Sequence, residues 1–199
     1  MTSVSTRRYH HGDLRAALLG RAEETLERTG AAGLSLRELA REVGVSHGAP
    51  RRHFADRDAL LAALAQDGFD RLGASLALAV AASGTFADRL LASAHAYVAF
   101  ATQHPALLEL MFAAKHSPAA TPALIEAGRA TFDPLLALLG DGQRAGEVTG
   151  DDPERVGATV FATVHGIASL ASAGMLDGAD LSATVDEAVA RLLLGLQPR

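Results

Sequence analysis

The stretch that most restricts how this chain can fold is Ser35-Leu-Arg-Glu-Leu-Ala-Arg-Glu-Val-Gly44, continued by Val45-Ser-His-Gly-Ala-Pro-Arg-Arg-His-Phe54. It reads as two short helices joined by a tight turn at Gly44, a residue that takes positive φ without penalty. Ser35 and Glu38 have the spacing of a capping box, in which hydroxyl and carboxylate each satisfy a free amide at the helix start. Leu34 and Leu39 occupy the N′ and N4 positions of a hydrophobic staple. Ser46 is expected to cap the next helix. Ala40 and Gly44 are small where the two helices would approach each other. Such a pair of helices is a device for laying the second one in the major groove of DNA.

The side chains of residues 46–53 suit that task. Arg51 and Arg52 would point about 100° apart on an α-helix, so one can face a base edge while the other grips a phosphate. Arginine makes bidentate bonds to guanine, and His47 and His53 can donate to phosphate oxygens. The amino ends of the helices at Ser35 and Ser46 offer free amides to the DNA backbone. The expected DNA-facing set is Ser35, Arg37, Ser46, His47, Gly48, Ala49, Arg51, Arg52, His53 and Arg57. Pro50 leaves two readings open. Either it sits inside a helix capped by Ser46, deleting one early bond and packing on Val45, or the regular helix starts only at Pro50.

A net charge of −5 looks wrong for a nucleic-acid binder until the chain is divided. Residues 1–56 carry nine arginines against seven acids, while residues 57–199 carry nine bases against sixteen acids. A basic head on an acidic body follows from that asymmetry. Cysteine is absent, which excludes disulfides and thiolate metal sites. The segment 1–8 is polar, and the longest apolar run, 76–82, falls far short of the roughly 20 residues of a membrane span. A cytoplasmic protein with no membrane association is the expectation.

Beyond the head, helix signals recur and strand signals are nearly absent. Asp13 suits the cap of a first helix ending near Gly30, with Leu14, Ala17, Leu18, Ala22, Thr25 and Leu26 inward. Asp56 suits the cap of a long helix with Leu60, Leu61, Leu64, Leu72 and Leu76 on its buried side. Thr85 should cap a helix to about residue 103, and Pro105 should open a short one through Phe112. Residues 116–122 read as a loop. A longer helix to about Arg144 should follow, kinked at Pro134. Asp151 and Asp152 read as the cap of a helix opened by Pro153, and Ser182 as the cap of the last. The sum is an all-α protein of about nine helices.

Several of these residues resemble the amino-terminal domain of TetR-family transcriptional regulators. Gly44-Val45-Ser46, His53-Phe54 and the following Ala55-Asp56-Arg57-Asp58-Ala59-Leu60-Leu61 agree with that family in order and spacing. The family commonly has leucine-tyrosine where this chain has Pro50-Arg51, so Arg51 must take over a backbone or base contact. Tyr9-His10-His11-Gly12-Asp13 looks like the entry segment of one subgroup. Phe161-Ala-Thr-Val-His165-Gly166 is similar to that subgroup's Trp-x-x-x-His-Gly signature. The resemblance implies a DNA-binding domain over 9–55, with its helix-turn-helix at 35–54, and a ligand-binding and dimerisation domain over 56–199. It further implies a homodimer through the last two helices, a pseudo-palindromic double-stranded operator, and release by a small-molecule effector, the habit of a repressor. A helical protein–protein adaptor without DNA binding is the alternative.

In the body, Tyr97, Phe100, Met111, Phe112, Phe132, Phe161 and His165 are candidate pocket walls as well as candidate core. His165 reads either as a core histidine bonded to a carbonyl or as a group that orients a ligand. The histidines show no metal-ligand spacing, and no nucleophile elbow, P-loop or dinucleotide fingerprint is present, so neither a cofactor nor catalysis is expected.

Overall fold

Asp56 starts the axis of the molecule. Its carboxylate accepts from the Ala59 amide at 2.8 Å and opens a helix of 24 residues whose apolar stripe is buried throughout. The computed structural model describes residues 14–149 and 152–196. Among them nine α-helices succeed one another: α1 (Leu14–Thr29), α2 (Leu36–Val43), α3 (Arg57–Val80), α4 (Phe86–Gln103), α5 (Pro105–Lys115), α6 (Pro122–Ala130), α7 (Asp133–Arg144), α8 (Pro153–Ser172) and α9 (Leu181–Leu196). Two 3₁₀ turns, Ala31–Gly33 and Pro50–Arg52, lie between the first three, and the described residues contain no strand.

α3 is the centrepiece because it packs on α1 at one end and on α4, α5, α6 and α7 along its length. Leu60, Leu64, Phe69, Leu72 and Leu76 on it are all at most 2% exposed. Gly68 lets α5 come close: a methyl group there would lie 2.6 Å from the Met111 Sδ. α8 and α9 pack on α4 and on each other, and His95 on α4 meets Asp186 on α9 at 2.7 Å. The single core runs from Leu18 on α1 to Val189 on α9.

The expected start of α4 holds and is stronger than expected. Thr85 and Asp88 form a complete capping box, with Asp88 accepting from the Thr85 amide. Asp152 accepts from the Glu154 amide and opens α8. α5 continues to Lys115, one turn beyond Phe112. Asp13, Asp151 and the segment 7–12 lie outside the described residues.

Four expectations are corrected. The Ser35–Glu38 capping box does not form: Ser35 makes no side-chain cap bond, and Glu38 is taken by Arg41 three residues on. In an eight-residue helix that neighbouring cation competes with the backbone for the carboxylate. The kinked helix over 122–144 is two helices. Pro134 has no N–H and would clash with the carbonyl four residues back, so α6 stops and Pro134 opens α7 in its first turn. Thr131 occupies the break, buried, its hydroxyl donating to the Phe69 and Ala127 carbonyls. Asp180, not Ser182, holds the start of α9, accepting from the Ala183 amide at 2.8 Å. Ser46 caps no α-helix, because residues 50–52 form a single 3₁₀ turn preceded by Ala49.

Candidate functional site

Gly44 carries φ of +77°, and the turn that it makes is a complete Schellman motif. The Val45 amide donates to the Ala40 carbonyl at 2.9 Å and the Gly44 amide to that of Arg41 at 3.2 Å. Ala40 is fully buried, as its small size requires, whereas nothing lies within 4 Å of a methyl built on Gly44. The glycine is there for its backbone angle, not for packing. Beyond it Pro50 is buried and Phe54 is 2% exposed. These two anchors pin both ends of the segment that carries the cations. Of the two readings of Pro50, regular structure beginning at Pro50 is the one found, reduced to one 3₁₀ turn.

On that turn Arg51 and Arg52 are exposed and point about 120° apart, since a 3₁₀ helix has three residues per turn. Ser46, His47, Gly48 and His53 are also exposed, Ala49 and Ser35 are half-buried, and Arg37 projects from α2. Arg21 and Arg41 are paired with Glu24 and Glu38. Among the described residues no carboxylate lies within ion-pair distance of Arg37, Arg51 or Arg52. Three unneutralised guanidinium groups thus share the surface with a stretch of small side chains that lets another backbone come near.

Arg57 is placed differently from the rest of the expected set. Its Nε donates to the Leu34 carbonyl at 3.2 Å and its Nη2 to that of Ala31 at 2.6 Å. It braces the turn before α2 against the start of α3. Arg15 lies 5.7 Å over the Phe54 ring, a second brace within the same bundle.

In the body, five of the seven candidate pocket residues converge. The rings of Tyr97, Phe112, Phe132, Phe161 and His165 stand 5.2 to 6.5 Å apart, centroid to centroid, in their contacts. The Tyr97 hydroxyl and the His165 Nδ1 are 2.8 Å apart, so the histidine answers a phenol and not a backbone carbonyl. Burial pushes the Tyr97 phenol pKa well upward, which keeps its proton in place. A small cavity of about 20 Å³, room for about one water, adjoins Tyr97, Phe132 and Phe161. On the far side of His165 an open groove of about 420 Å³ runs between α5 and α8. Phe100 and Met111 are not part of this group. Phe100 packs on His104 at 5.1 Å, and Met111 is fully buried against Gly68.

The contacts that tie α1 to the body were not anticipated. Arg71 on α3 donates to Glu23 at 2.6 Å, and His104 Nδ1 meets the other oxygen of Glu23 at 2.9 Å. The pairing raises the Arg71 pKa, the hydrogen bond to Glu23 outweighing the cost of burial. Glu27 accepts from the Ala106 and Leu107 amides at 3.2 and 3.1 Å, capping α5 from a different helix. The one available signal was the Glu23/Glu27 spacing, which puts both carboxylates on one face of α1.

An arginine-bearing turn on a three-element head and an aromatic-lined helical body are the parts of a DNA-binding regulator of transcription. The family model described as bacterial regulatory proteins, tetR family, matches residues 18–64. The model described as the tetracyclin repressor-like C-terminal domain matches residues 90–196, more than half of the chain. The chain belongs to the TetR family. Similar solved structures include a protein of unknown function from Rhodococcus sp. RHA1, 49% identical over 96% of this chain and 100% of that one, TM-score 0.90. A tetR-family regulatory protein from Rhodococcus RHA1 is 19% identical over 94% and 98%, TM-score 0.75. A TetR-family regulator from Marinobacter aquaeolei VT8 is 16% identical over 94% and 97%, TM-score 0.77. The last two likenesses concern the fold alone. No curated protein matches the chain. Among the described residues no helix is long and apolar enough to cross a membrane.

Proposed function

We propose that the protein is a ligand-responsive repressor that binds a pseudo-palindromic operator as a homodimer and leaves it when a small molecule enters the body. Residues 9–55 act as the DNA-binding domain and 56–199 as the sensing and dimerisation domain. One observation carries the DNA-binding role: Arg51 and Arg52, on a turn locked by buried Pro50 and Phe54, and Arg37 on α2 are exposed and have no ion-pair partner among the described residues. Within the set Ser35, Arg37, Ser46, His47, Gly48, Ala49, Arg51, Arg52 and His53, the arginines contact bases and phosphates and the small residues admit the DNA backbone. Arg57 supports them by holding the turn before α2.

Dimerisation is supported by the outer face of α8 and α9. Ala158, Ala162 and Leu170 are exposed along α8, Met175 follows it, and Leu194 on α9 is 72% exposed. Exposed large apolar side chains beside small ones suit a face that another helix pair covers. Two heads held this way would meet successive major grooves about 34–36 Å apart. The effector role falls to the cluster of Tyr97, Phe112, Phe132, Phe161 and His165, next to α5, which α1 caps through Glu27. A ligand that favours one arrangement of α5 would shift the heads by its differential affinity for the two states.

The reading is tested by selection of bound duplexes from a random pool, followed by gel shifts over a salt series. An inverted repeat whose affinity falls steeply with salt is the expected result. A folded protein that ignores every duplex at low salt would overturn the reading and favour a protein-only adaptor.

A further inference from the structure

The Tyr97–His165 pair does more than fill space, because it settles which histidine nitrogen carries the proton. The Tyr97 side chain is buried, and His165 Nδ1 is the only acceptor for its hydroxyl among the described residues. A buried hydroxyl hydrogen without an acceptor is costly, whereas a phenol oxygen lacking a second donor is cheap to bury. The phenol therefore donates to Nδ1, and the neutral ring must carry its hydrogen on Nε2. The ring cannot turn away. It stacks on Phe161 at 5.2 Å and 19° and is held edge-on by Phe112 at 5.6 Å.

Nε2–H has no partner among the described residues, and it lies on the edge of the ring opposite Tyr97. His165 lines the open groove of about 420 Å³ between α5 and α8, whose walls include Leu108, Phe112, Ala168, Glu109, Ser169 and Ser172 but not Tyr97. That volume falls within the range of small-molecule sites. The groove therefore offers one donor of fixed direction, with the rotatable Ser169 and Ser172 hydroxyls beside it, among apolar surface from Leu108, Phe112 and Ala168. Its single charge is the Glu109 carboxylate, and no basic side chain lines it. An anionic ligand would meet repulsion with no compensating cation.

Resting on the effector reading above, we propose that this groove binds a neutral, largely apolar molecule through one carbonyl-type acceptor, which takes the hydrogen bond of His165 Nε2–H. The apolar part lies on Phe112, Leu108 and Ala168. Tyr97 is a positioning residue that acts through the histidine.

Three probes of similar shape separate the possibilities: benzophenone, its hydrocarbon counterpart diphenylmethane, and the anion diphenylacetate. Binding is measured on the full chain without DNA by calorimetry, with the His165 ring nitrogens followed by NMR. Benzophenone is expected to bind about fivefold more tightly than diphenylmethane, the yield of one neutral hydrogen bond. The Nε2 resonance should shift on binding, and diphenylacetate should bind weakest. His165→Phe should erase the ketone preference, and Ala113→Phe, at an exposed wall position, should block both neutral probes while leaving the Tyr97 bond intact. Equal affinities, a preference for the anion, no binding of the ketone, or a hydrogen on Nδ1 in the free protein would each overturn the proposal. Ketone binding that leaves DNA affinity unchanged would support the site and remove the effector reading alone.

Discussion

Gly44 shows how much one residue can decide. At φ +77° an alanine pays for a left-handed backbone, so Gly44→Ala should cost about 1 kcal/mol in a urea titration. Its effect on DNA affinity should be larger than its effect on stability, because the turn aims Arg51 and Arg52. Those two arginines differ in direction on the 3₁₀ turn, and their alanine variants should differ in kind. Removal of a phosphate contact lowers the salt slope by about 1, whereas removal of a base contact also relaxes sequence preference. A pair of variants that bind every duplex as the parent does would place the reading face elsewhere. In the body, Tyr97→Phe deletes a buried hydrogen bond and should cost about 1 kcal/mol in the same titration.

At the level of elements, the caps divide into near and far. Thr85–Asp88 is a near one, and its pH response has a definite sign. Hydrogen bonds from the Thr85 amide and hydroxyl hold the Asp88 carboxyl below its usual range. A carboxyl with a depressed folded pKa contributes stability that is fully present above the unfolded value and is lost as pH falls through the folded one. The difference in urea midpoint between the parent and Asp88→Asn should therefore shrink below about pH 4. Glu27 is a far cap, from α1 onto the first turn of α5, where it also meets the positive end of the helix dipole. Glu27→Gln keeps the shape but loses the charge; Glu27→Ala should cost about 1 kcal/mol and accelerate hydrogen exchange at Ala106 and Leu107. Unchanged exchange at those two amides would show that α5 does not need α1.

For the whole molecule, the charge asymmetry and the α8–α9 face matter together. A body with seven more acids than bases repels DNA, so productive contact is confined to the basic head. The face gives a variant that separates folding from assembly. Gly166 lies one turn after exposed Ala162 on α8, and a methyl built on it would meet nothing within 4 Å, so Gly166→Leu starts a bulky side chain on that face without a clash at its Cβ. In sedimentation experiments it should remain folded yet dissociate more readily than the parent, and operator affinity should fall with it. A variant that sediments as the parent does would remove Gly166 from the dimer face.

Much of this architecture was legible in advance. The caps at Asp56, Thr85 and Asp152 and the apolar stripe of α3 depend on residues within four positions of one another, a distance over which side chains and backbone meet on any helix. The expected helix number also agrees, although two departures offset each other: residues 50–52 are a 3₁₀ turn, and the segment 122–144 is two helices. The misread Ser35–Glu38 box had a local rival in Arg41, and propensity alone does not rank rivals of similar strength.

What the chain's order of residues decided by itself is its class: helical periodicity, a glycine that permits one sharp turn, and half of the cations gathered within residues 1–56. Only tertiary packing decided which of those groups are spent inside the protein. Arg57 reaches a carbonyl 26 positions away, Glu27 an amide 79 away and Tyr97 a histidine 68 away. Such partners are chosen by how helices stack in three dimensions, a quantity that no local spacing encodes. That stacking leaves Arg37, Arg51 and Arg52 without an ion-pair partner, and the His165 Nε2–H beside the groove between α5 and α8 without an acceptor, among the described residues.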